Sequence, residues 1–521
     1  MVKSLAFLLL TWFTAASFFG PPTLEQVRKQ RYEAAHRPRR LVFHSDGVAM
    51  NPAHAYHEPT PSVIPHLPGT QTDACTYSLV HQFPVVRLYR TKVGQEWPAG
   101  ITEKLFGSGP DGLDEYIAFC RKQGYEAFWA MRTNDTHDAT MDAHGQGRWN
   151  SNLWKQAHPE LLFGKRGDPP PPYGNSTAYD YAQSVVRDKV YEVVAEVAQN
   201  YPVDGLVLDF FRHLPTFKST AWGRKEATDD ERAALTTLLR RLRDLRDQRG
   251  METGKPILLA VRTPDTFEYS RALGLDLETW MKEGLVDIWI TSGYFRLQEW
   301  DAIIKLAHSH GMPVWGSTDE SRVKDRENKN SLEAYRARIM NMRRAGVDAV
   351  WIFNYFHFPP SREFQLLNEA GSIDTLAFTD KLYVPDDLGP QYARLYLADG
   401  LRYVRRQTLF APAEPEMLKG GQSREVELRV GDDVSAAAAQ GYAANVTLRL
   451  QADGVPEDLQ VEINGKPLAR TSSRDGWTEF AVEPSRVKLG VNRVTIRRGG
   501  AAAPGTVLKD LQLPITYRKN P

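Results

Sequence analysis

Cysteine is nearly missing: the chain has two, Cys75 and Cys120, among 521 residues. A disulfide framework is thereby excluded as the source of stability, and the length is ample for a core that needs none. An excess of one charge is missing too, since Lys+Arg 65 stand against Asp+Glu 64. A near-neutral chain has no field with which to gather nucleic acid or an anionic membrane, so a neutral partner is expected. Beyond the N-terminus no apolar run reaches 18 residues, which leaves the mature chain without a membrane span. Several motifs are also lacking: a GxGxxG turn after the first strand-like run, a P-loop, a GxSxG elbow, an HExxH pair, paired cysteines, and a basic helix with interleaved aromatics. Kinase, serine-hydrolase and nucleic-acid roles lose their usual signatures, and no cofactor is expected.

What is present begins with MVKSLAFLLLTWFTAASFF, where Lys3 precedes an apolar run from Leu5 and the small residues Ala15, Ala16 and Ser17. That layout is a cleaved secretory signal over residues 1–20, so the mature protein is expected to be exported to the periplasm or beyond the cell. Export permits a Cys75–Cys120 bridge, but Cys120 in DEYIAFCRKQG falls on the buried face of a helix, which favours a free thiol.

Across residues 38–380, strand-like apolar runs alternate with helical periods. The runs are LVFHS (41–45), VVRLY (85–89), EAFWAM (126–131), GLVLDF (205–210), ILLAV (257–261), DIWIT (287–291), PVWG (313–316) and AVWIF (349–353). Between them lie amphipathic helices. In YAQSVVRDKVYEVVAEVAQNY, Val186, Val190, Val193, Val194 and Val197 share one face. A second helix opens on a Thr228/Glu231 capping box, carries a leucine stripe and is expected to end before Gly250. Eight buried parallel strands separated by helices predict an α/β fold, a (β/α)₈ TIM barrel. The segment from Arg132 to about Thr177 is a long loop with Trp, Tyr and Pro, and loops of that length are usually functional. Residues 381–410 read as a linker or packing segment. From 411 to 521 the period changes to two (REVELRV, ANVTLRLQ, LQVEINGKPL, VNRVTIRRG), with Asn464-Gly465 as a hairpin signal, which predicts a small all-β sandwich.

The active site of such a barrel lies where the strands end at their C-terminal side. In DGLVLDFFRH that places the Asp209 carboxylate in the mouth, with Arg212 and His213 expected beside it. The other strand ends supply His44 and Asp46, then Arg132, Asn134, Asp135, His137 and Asp138, then Arg262 and Asp265, then Asp319 and Glu320. Strands six and eight add Ser292, Tyr294, Asn354, Tyr355 and His357. Carboxylates, arginines and amides converging with aromatic rings suit a polyhydroxylated ligand, because every hydroxyl needs a donor and an acceptor. Hydrolysis of a glycosidic bond needs one ionised carboxylate and one protonated acid. Asp209 is the candidate for the ionised role, and Asp265, Glu320 and Asp135, in that order, are candidates for the acid. A scattered set, His137, Asp138, His144 and His213, raises a metal alternative without a recognised ligand spacing, and no metal is expected.

The segments VRDKVYEVVAEVAQNYPVDGLVLDFFRH and LLAVRTPDTFEYSRALGLDLETWMKEGLVDIWITSGY, with GTQTDACTY and MRTNDTHD, resemble the glycoside-hydrolase-like TIM-barrel proteins labelled family 10-like, of exported bacterial type. The resemblance covers about residues 40–380 and implies a barrel that takes a carbohydrate. In barrels with a similar "DG…LD" fourth strand, the α-amylase relatives among them, the strand-end Asp is the nucleophile, a role that maps onto Asp209. Their partner acid is a Glu after strand five, where this chain has Asp265 or Glu268. The expectation is therefore an exported glycoside hydrolase acting on a poly- or oligosaccharide. Its rivals are a carbohydrate-binding barrel without turnover and a metal-dependent hydrolase or lyase built on the His137 cluster.

Overall fold

The structure, a computed structural model, describes residues 21–46, 67–80, 82–139, 152–165, 168–224, 226–291, 293–318, 331–355, 360–385, 390–405, 415–453, 458–500 and 505–520. The expected signal segment 1–20 lies outside the described residues, as do His144, Ser292, Asp319, Glu320 and His357.

Eight strands make the barrel: β1 (Leu41–Ser45), β2 (Thr72–Val80), β3 (Glu126–Arg132), β4 (Gly205–Asp209), β5 (Leu258–Thr263), β6 (Ile288–Thr291), β7 (Val314–Thr318) and β8 (Ala349–Phe353). All neighbours pair in parallel, and β1 pairs with both β2 and β8, which closes the ring. Strands β4 to β8 are buried from end to end because helices cover their outer face and opposing side chains fill the interior.

One stave differs from expectation. The second place is taken by TDACTYSLV, while Val85–Val86 of the VVRLY run forms a two-residue strand antiparallel to its end. TDACTYSLV reads as polar, but its short hydroxyl side chains fit the barrel interior, where Thr76 Oγ1 accepts a hydrogen bond from Trp351 Nε1 at 3.1 Å.

The outer layer includes α1 (Leu24–Ala35), α2 (Gly112–Gln123), α3 (Ser184–Asn200), α4 (Asp229–Thr253), α5 (Trp300–Ser309) and α6 (Leu332–Ala345). The valine stripe of α3 is buried at all five positions. The Thr228/Glu231 capping box opens α4, an arrangement worth about 1 kcal/mol. That helix runs through Gly250 and stops at Gly254, which adopts φ 71°. Gly250 is tolerated inside it because α1 crosses there: a Cβ at 250 would lie 2.4 Å from Val27 Cγ1. Both cysteines are buried free thiols.

The C-terminal unit consists of two antiparallel sheets. One contains β9 (Lys381–Tyr383), β10 (Glu416–Leu418), β12 (Tyr442–Asp453), β15 (Ala469–Arg474), β16 (Trp477–Val482) and β18 (Thr506–Lys519). The other contains β11 (Ser423–Val430), β13 (Leu459–Ile463), β14 (Lys466–Pro467) and β17 (Gly490–Arg498). Asn464 and Gly465 turn the β13–β14 hairpin with φ 52° and 74°, the left-handed pair that such a turn requires. Residues 381–383, expected in the linker, pair with β18 and so belong to this unit. Residues 390–405 pack on the barrel, where Tyr269 Oη donates to Ala393 O at 2.8 Å and Arg405 N to Leu297 O at 2.7 Å. The sandwich docks against α6 and α5: Arg344 Nε donates to Gly431 O at 2.8 Å, and Arg429 Nη2 pairs with Asp301 Oδ2 at 2.7 Å.

Candidate active site at the mouth of the barrel

Parallel register sets three charged residues side by side at one level, with Arg132 opposite Asp209 and Asp209 opposite Arg262. Asp209 ends β4, and each of its carboxylate oxygens is engaged. Oδ1 accepts from Phe211 N at 2.9 Å and Arg212 N at 3.0 Å, and Oδ2 accepts from Arg262 Nη1 at 3.0 Å. Its carbonyl accepts from Thr133 N and Thr133 Oγ1. The side chains of Arg212 and His213 were expected to flank this carboxylate. Only the backbone of Arg212 reaches it among the described contacts, and the neighbouring strand supplies the guanidinium instead.

Arg262 is fully buried in a box of rings, 4.4 Å from the centroid of Tyr294, 4.8 Å from those of Trp351 and Phe353, and 5.6 Å from that of Phe211. Ring faces attract the cation and exclude water, which sharpens its pull on Asp209. Room for the guanidinium depends on Gly293 (φ 116°), where a Cβ would come within 2.6 Å of Arg262 Nη2.

A second charged chain starts on β1. Trp351 Nε1 donates to Thr76 Oγ1, Thr76 faces His44 Nδ1 at 2.7 Å, and His44 Nε2 faces Asp46 Oδ1 at 3.3 Å. Asn354, at φ 50°, grips Asp46 from both sides: its Oδ1 accepts from Asp46 N at 2.8 Å and its Nδ2 donates to Asp46 Oδ2 at 2.9 Å. Arg132 then bridges two carboxylates, with Nη2 on Asp46 Oδ2 at 2.5 Å and Nη1 on Asp135 Oδ2 at 2.6 Å. Burial alone would lift the Asp46 carboxyl, but Arg132 and His44 hold it well below the usual carboxylate range. The same contest at Asp135 is won by Arg132, His137 and His213, and its carboxyl also lies well below the ordinary value. Burial pushes His44 down, against the pull of Asp46.

The half-buried rim carries Arg212, His137, His213 and Asn354. Arg212 Nη1 donates to Tyr294 Oη at 3.0 Å, and Nη2 lies 2.8 Å from His137 Nε2. His137 in turn sets Nδ1 2.5 Å from Asp135 Oδ1, and His213 stands edge-on to its ring at 4.8 Å. Burial pushes the His213 imidazole well down, Arg212, His137 and Arg132 push it further, and Asp135 opposes them. Asp135, His137 and His213 bring one ligand atom each within 4.8 Å of one another, a spacing that could hold a metal ion. The donors are already committed, however, Asp135 to Arg132 and His137 to Arg212, and a divalent cation there would face two guanidinium groups.

Of the expected site residues, His44, Asp46, Arg132, Asp135, His137, Asp209, Arg212, His213, Arg262, Tyr294 and Asn354 are brought together. Others are diverted. Asn134 ties down the following loop, with Oδ1 accepting from Tyr179 N at 3.0 Å. Asp138, expected near a metal, is buried on Lys155 Nζ at 3.0 Å and accepts from Thr177 Oγ1 at 2.8 Å, which staples the long loop to itself. Tyr355 packs on Tyr335 of α6, with ring centroids 4.7 Å apart. Asp265 is fully buried and accepts from Leu297 N at 2.9 Å and Gln298 N at 3.0 Å, a clamp on the segment after β6. Burial pushes its carboxyl up to about 6, against those amides. Thr76, Thr133, Phe211, Trp351 and Phe353 support the site and carry no distinguishing sequence signal, Thr76 and Trp351 lying in the middle of their strands. A separate cleft of about 290 Å³, lined by Arg28, Tyr32, Arg243 and His310 among others, lies at the opposite end of the barrel, where the strands begin.

No family model and no curated protein sequence matches the chain. Among solved structures it is similar to the family-36 α-galactosidase of Geobacillus stearothermophilus, with a TM-score of 0.38 and 11% identity over 92% of this chain and 56% of that one. It is also similar to the family-18 N-acetylglucosaminidase of Paenibacillus barengoltzii, with a TM-score of 0.37 and 12% identity over 63% of this chain and 99% of that one. A third is the cycloisomaltooligosaccharide glucanotransferase of a Paenibacillus species, with a TM-score of 0.33 and 9% identity over 92% and 57% of the two chains. The chain spans little more than half the length of the galactosidase.

Proposed function

We propose that this protein is a glycoside hydrolase that cleaves a poly- or oligosaccharide at the C-terminal mouth of its barrel. The observation that carries the reading is the Asp209–Arg262 pair, set at 3.0 Å in one layer with Arg132 and next to a rim of donors and acceptors, Arg212, His137, His213 and Asn354. A carboxylate paired in this way can meet the positive charge that builds on an anomeric carbon, and the mixed rim can address hydroxyls in both senses. The sequence resemblance to exported family 10-like barrels supports the same reading, and export after removal of residues 1–20 belongs to the proposal.

The acid is the open role. Asp46 and Asp135 are held ionised by Arg132. Asp265 has a raised carboxyl, but it spends its oxygens on Leu297 and Gln298. Incubating the purified full chain with a panel of plant and marine polysaccharides, with reducing ends as readout, tests the proposal. New reducing ends support it. Retention on a polysaccharide gel without new ends indicates a binding barrel instead, and activity that appears only with an added divalent metal indicates the metal-dependent rival.

A further inference from the structure

The cleft of about 290 Å³ at the far end of the barrel is walled largely by charged and polar side chains. On α1, Arg28, Arg31, Tyr32, Ala35 and the C-cap His36 stand at i, i+3, i+4, i+7 and i+8, so they share one face, and that face lines the cleft. On α4, Arg243 lies four residues before Asp247 and therefore on the same side of the helix. The segments that lead into β6 and β7 supply the other walls, with Glu283 and Asp287 from the first and His310 from the second. His36 ties α1 to the second segment: its Nε2 lies 3.0 Å from Gly311 O, and its ring sits 3.9 Å from that of Tyr32.

The carboxylates here are spent and the guanidinium groups are not. Asp247 gives Oδ2 to Nε and Nη2 of Arg28, at 2.9 and 2.7 Å, and Oδ1 to Nη1 of Arg31. Asp287 sets Oδ1 3.2 Å from Arg31 Nε and gives Oδ2 to Arg246 Nη1 and Leu259 N. Glu283 holds both oxygens on Arg240, at 2.6 and 2.8 Å. Arg243 addresses its neighbour Asp244 through Nε and Nη2. In these contacts five guanidinium groups meet four carboxylates. Among the described residues, Arg28 Nη1, Arg31 Nη2, Arg243 Nη1 and the imidazole nitrogens of His310 have no hydrogen-bond partner. Arg31 lines the cleft while only 5% exposed, so a partner for its Nη2 has to come from the cleft itself.

A guanidinium only donates, so three of them with open N–H groups around one hollow call for a group that only accepts and carries negative charge. Three separate side chains suit a tetrahedral group with three outward oxygens better than a planar carboxylate, whose two oxygens one guanidinium fork already fills. Tyr32, Met281 and Met312 give the same cleft an apolar side for the organic part of such a ligand. We propose that this cleft binds a small phosphate or sulfate ester, its oxyanion held by Arg28, Arg31 and Arg243 and its body set against Tyr32. The site is separate from the mouth of the barrel and independent of the glycosidase reading. A bound ester joins α1 and α4 to the segments ahead of β6 and β7, and it stabilises the native chain once its concentration passes the Kd.

Isothermal titration of the full chain with phenyl phosphate, phenyl sulfate, inorganic phosphate and benzoate tests this. One ester molecule per chain is expected to bind, more tightly than benzoate, and the tighter of the two phenyl esters tells phosphate from sulfate. Arg243→Gln breaks only a pair with the 68% exposed Asp244 and so should fold as wild type does. It should weaken ester binding by at least about tenfold, the loss of one charge-assisted hydrogen bond. Tyr32→Ala should lose the advantage of phenyl phosphate over inorganic phosphate. The urea midpoint should rise with ester concentration in wild type and much less in Arg243→Gln. Arg474→Gln, on the sandwich with a side chain 88% exposed, should bind the ester as wild type does. No saturable binding of either ester, benzoate bound more tightly than both, or equal affinity in wild type and Arg243→Gln overturns the proposal.

Discussion

Arg262 Nη1 donates to Asp209 Oδ2 at 3.0 Å across adjacent strands, with both residues buried and in register. Removing the carboxylate leaves a guanidinium enclosed by four rings. Asp209→Asn is expected to cost about 3–5 kcal/mol of folding stability, the usual penalty for stranding one member of a buried pair. Asp209→Asn combined with Arg262→Met should recover most of that loss, because no charge is left behind. Urea melts of the two variants check this; an Asp209→Asn variant as stable as wild type contradicts it.

Arg132 serves two carboxylates at once, so its loss should be felt most in acid. Asp46 and Asp135 titrate in the folded protein below their ordinary value of 3.8. The stability they contribute is present above that value and is lost as pH falls through the lower, folded one. Arg132→Met raises the folded values, so acid unfolding followed by circular dichroism should begin at a higher pH than in wild type. An unmoved acid transition contradicts the assignment.

Asp265 works in the opposite sense. With a folded value of about 6 against an ordinary 3.8, the native state binds the extra proton between them, so the stability contributed is full at pH 3.8 and lost as pH rises through about 6. Asp265→Asn removes this titration. The stability gap between wild type and variant should be larger near pH 4 than near pH 7, by on the order of 3 kcal/mol. A gap independent of pH would show that the buried carboxyl does not titrate in that window.

Lys381 and Asp432 form a buried pair at 3.0 Å, and Tyr517 Oη adds a hydrogen bond to the same carboxylate oxygen at 3.0 Å. Burial pushes Lys381 below its usual value and Asp432 above its own. Lys381→Met should lower stability by about 3–5 kcal/mol, seen as a lower urea midpoint of the transition that includes the sandwich. A midpoint unchanged from wild type would mean the pair is not formed.

Seven of the eight staves could be read from their apolar runs, because a strand buried on both faces must be apolar throughout. The second could not, since TDACTYSLV fills the barrel interior with Thr76 and Ser78 and so lacks the signal. The residues gathered at the mouth were largely legible, since strand ends are where a barrel concentrates them. Their pairings were not. Proximity along the chain suggested Arg212 and His213 for Asp209, whereas strand register delivers Arg262, 53 positions away. The fate of Asn134, Tyr355 and Asp265 depended on which side of the strand each side chain leaves and on loops that sequence pattern does not order.

The most direct test of the account is the turnover of the stabilised Asp209→Asn/Arg262→Met variant, compared with Arg262→Met alone, on whichever saccharide the wild type hydrolyses. Arg262→Met should retain measurable kcat, and adding Asp209→Asn should remove it while binding of the saccharide persists. Equal kcat in the two variants would contradict the role given to Asp209.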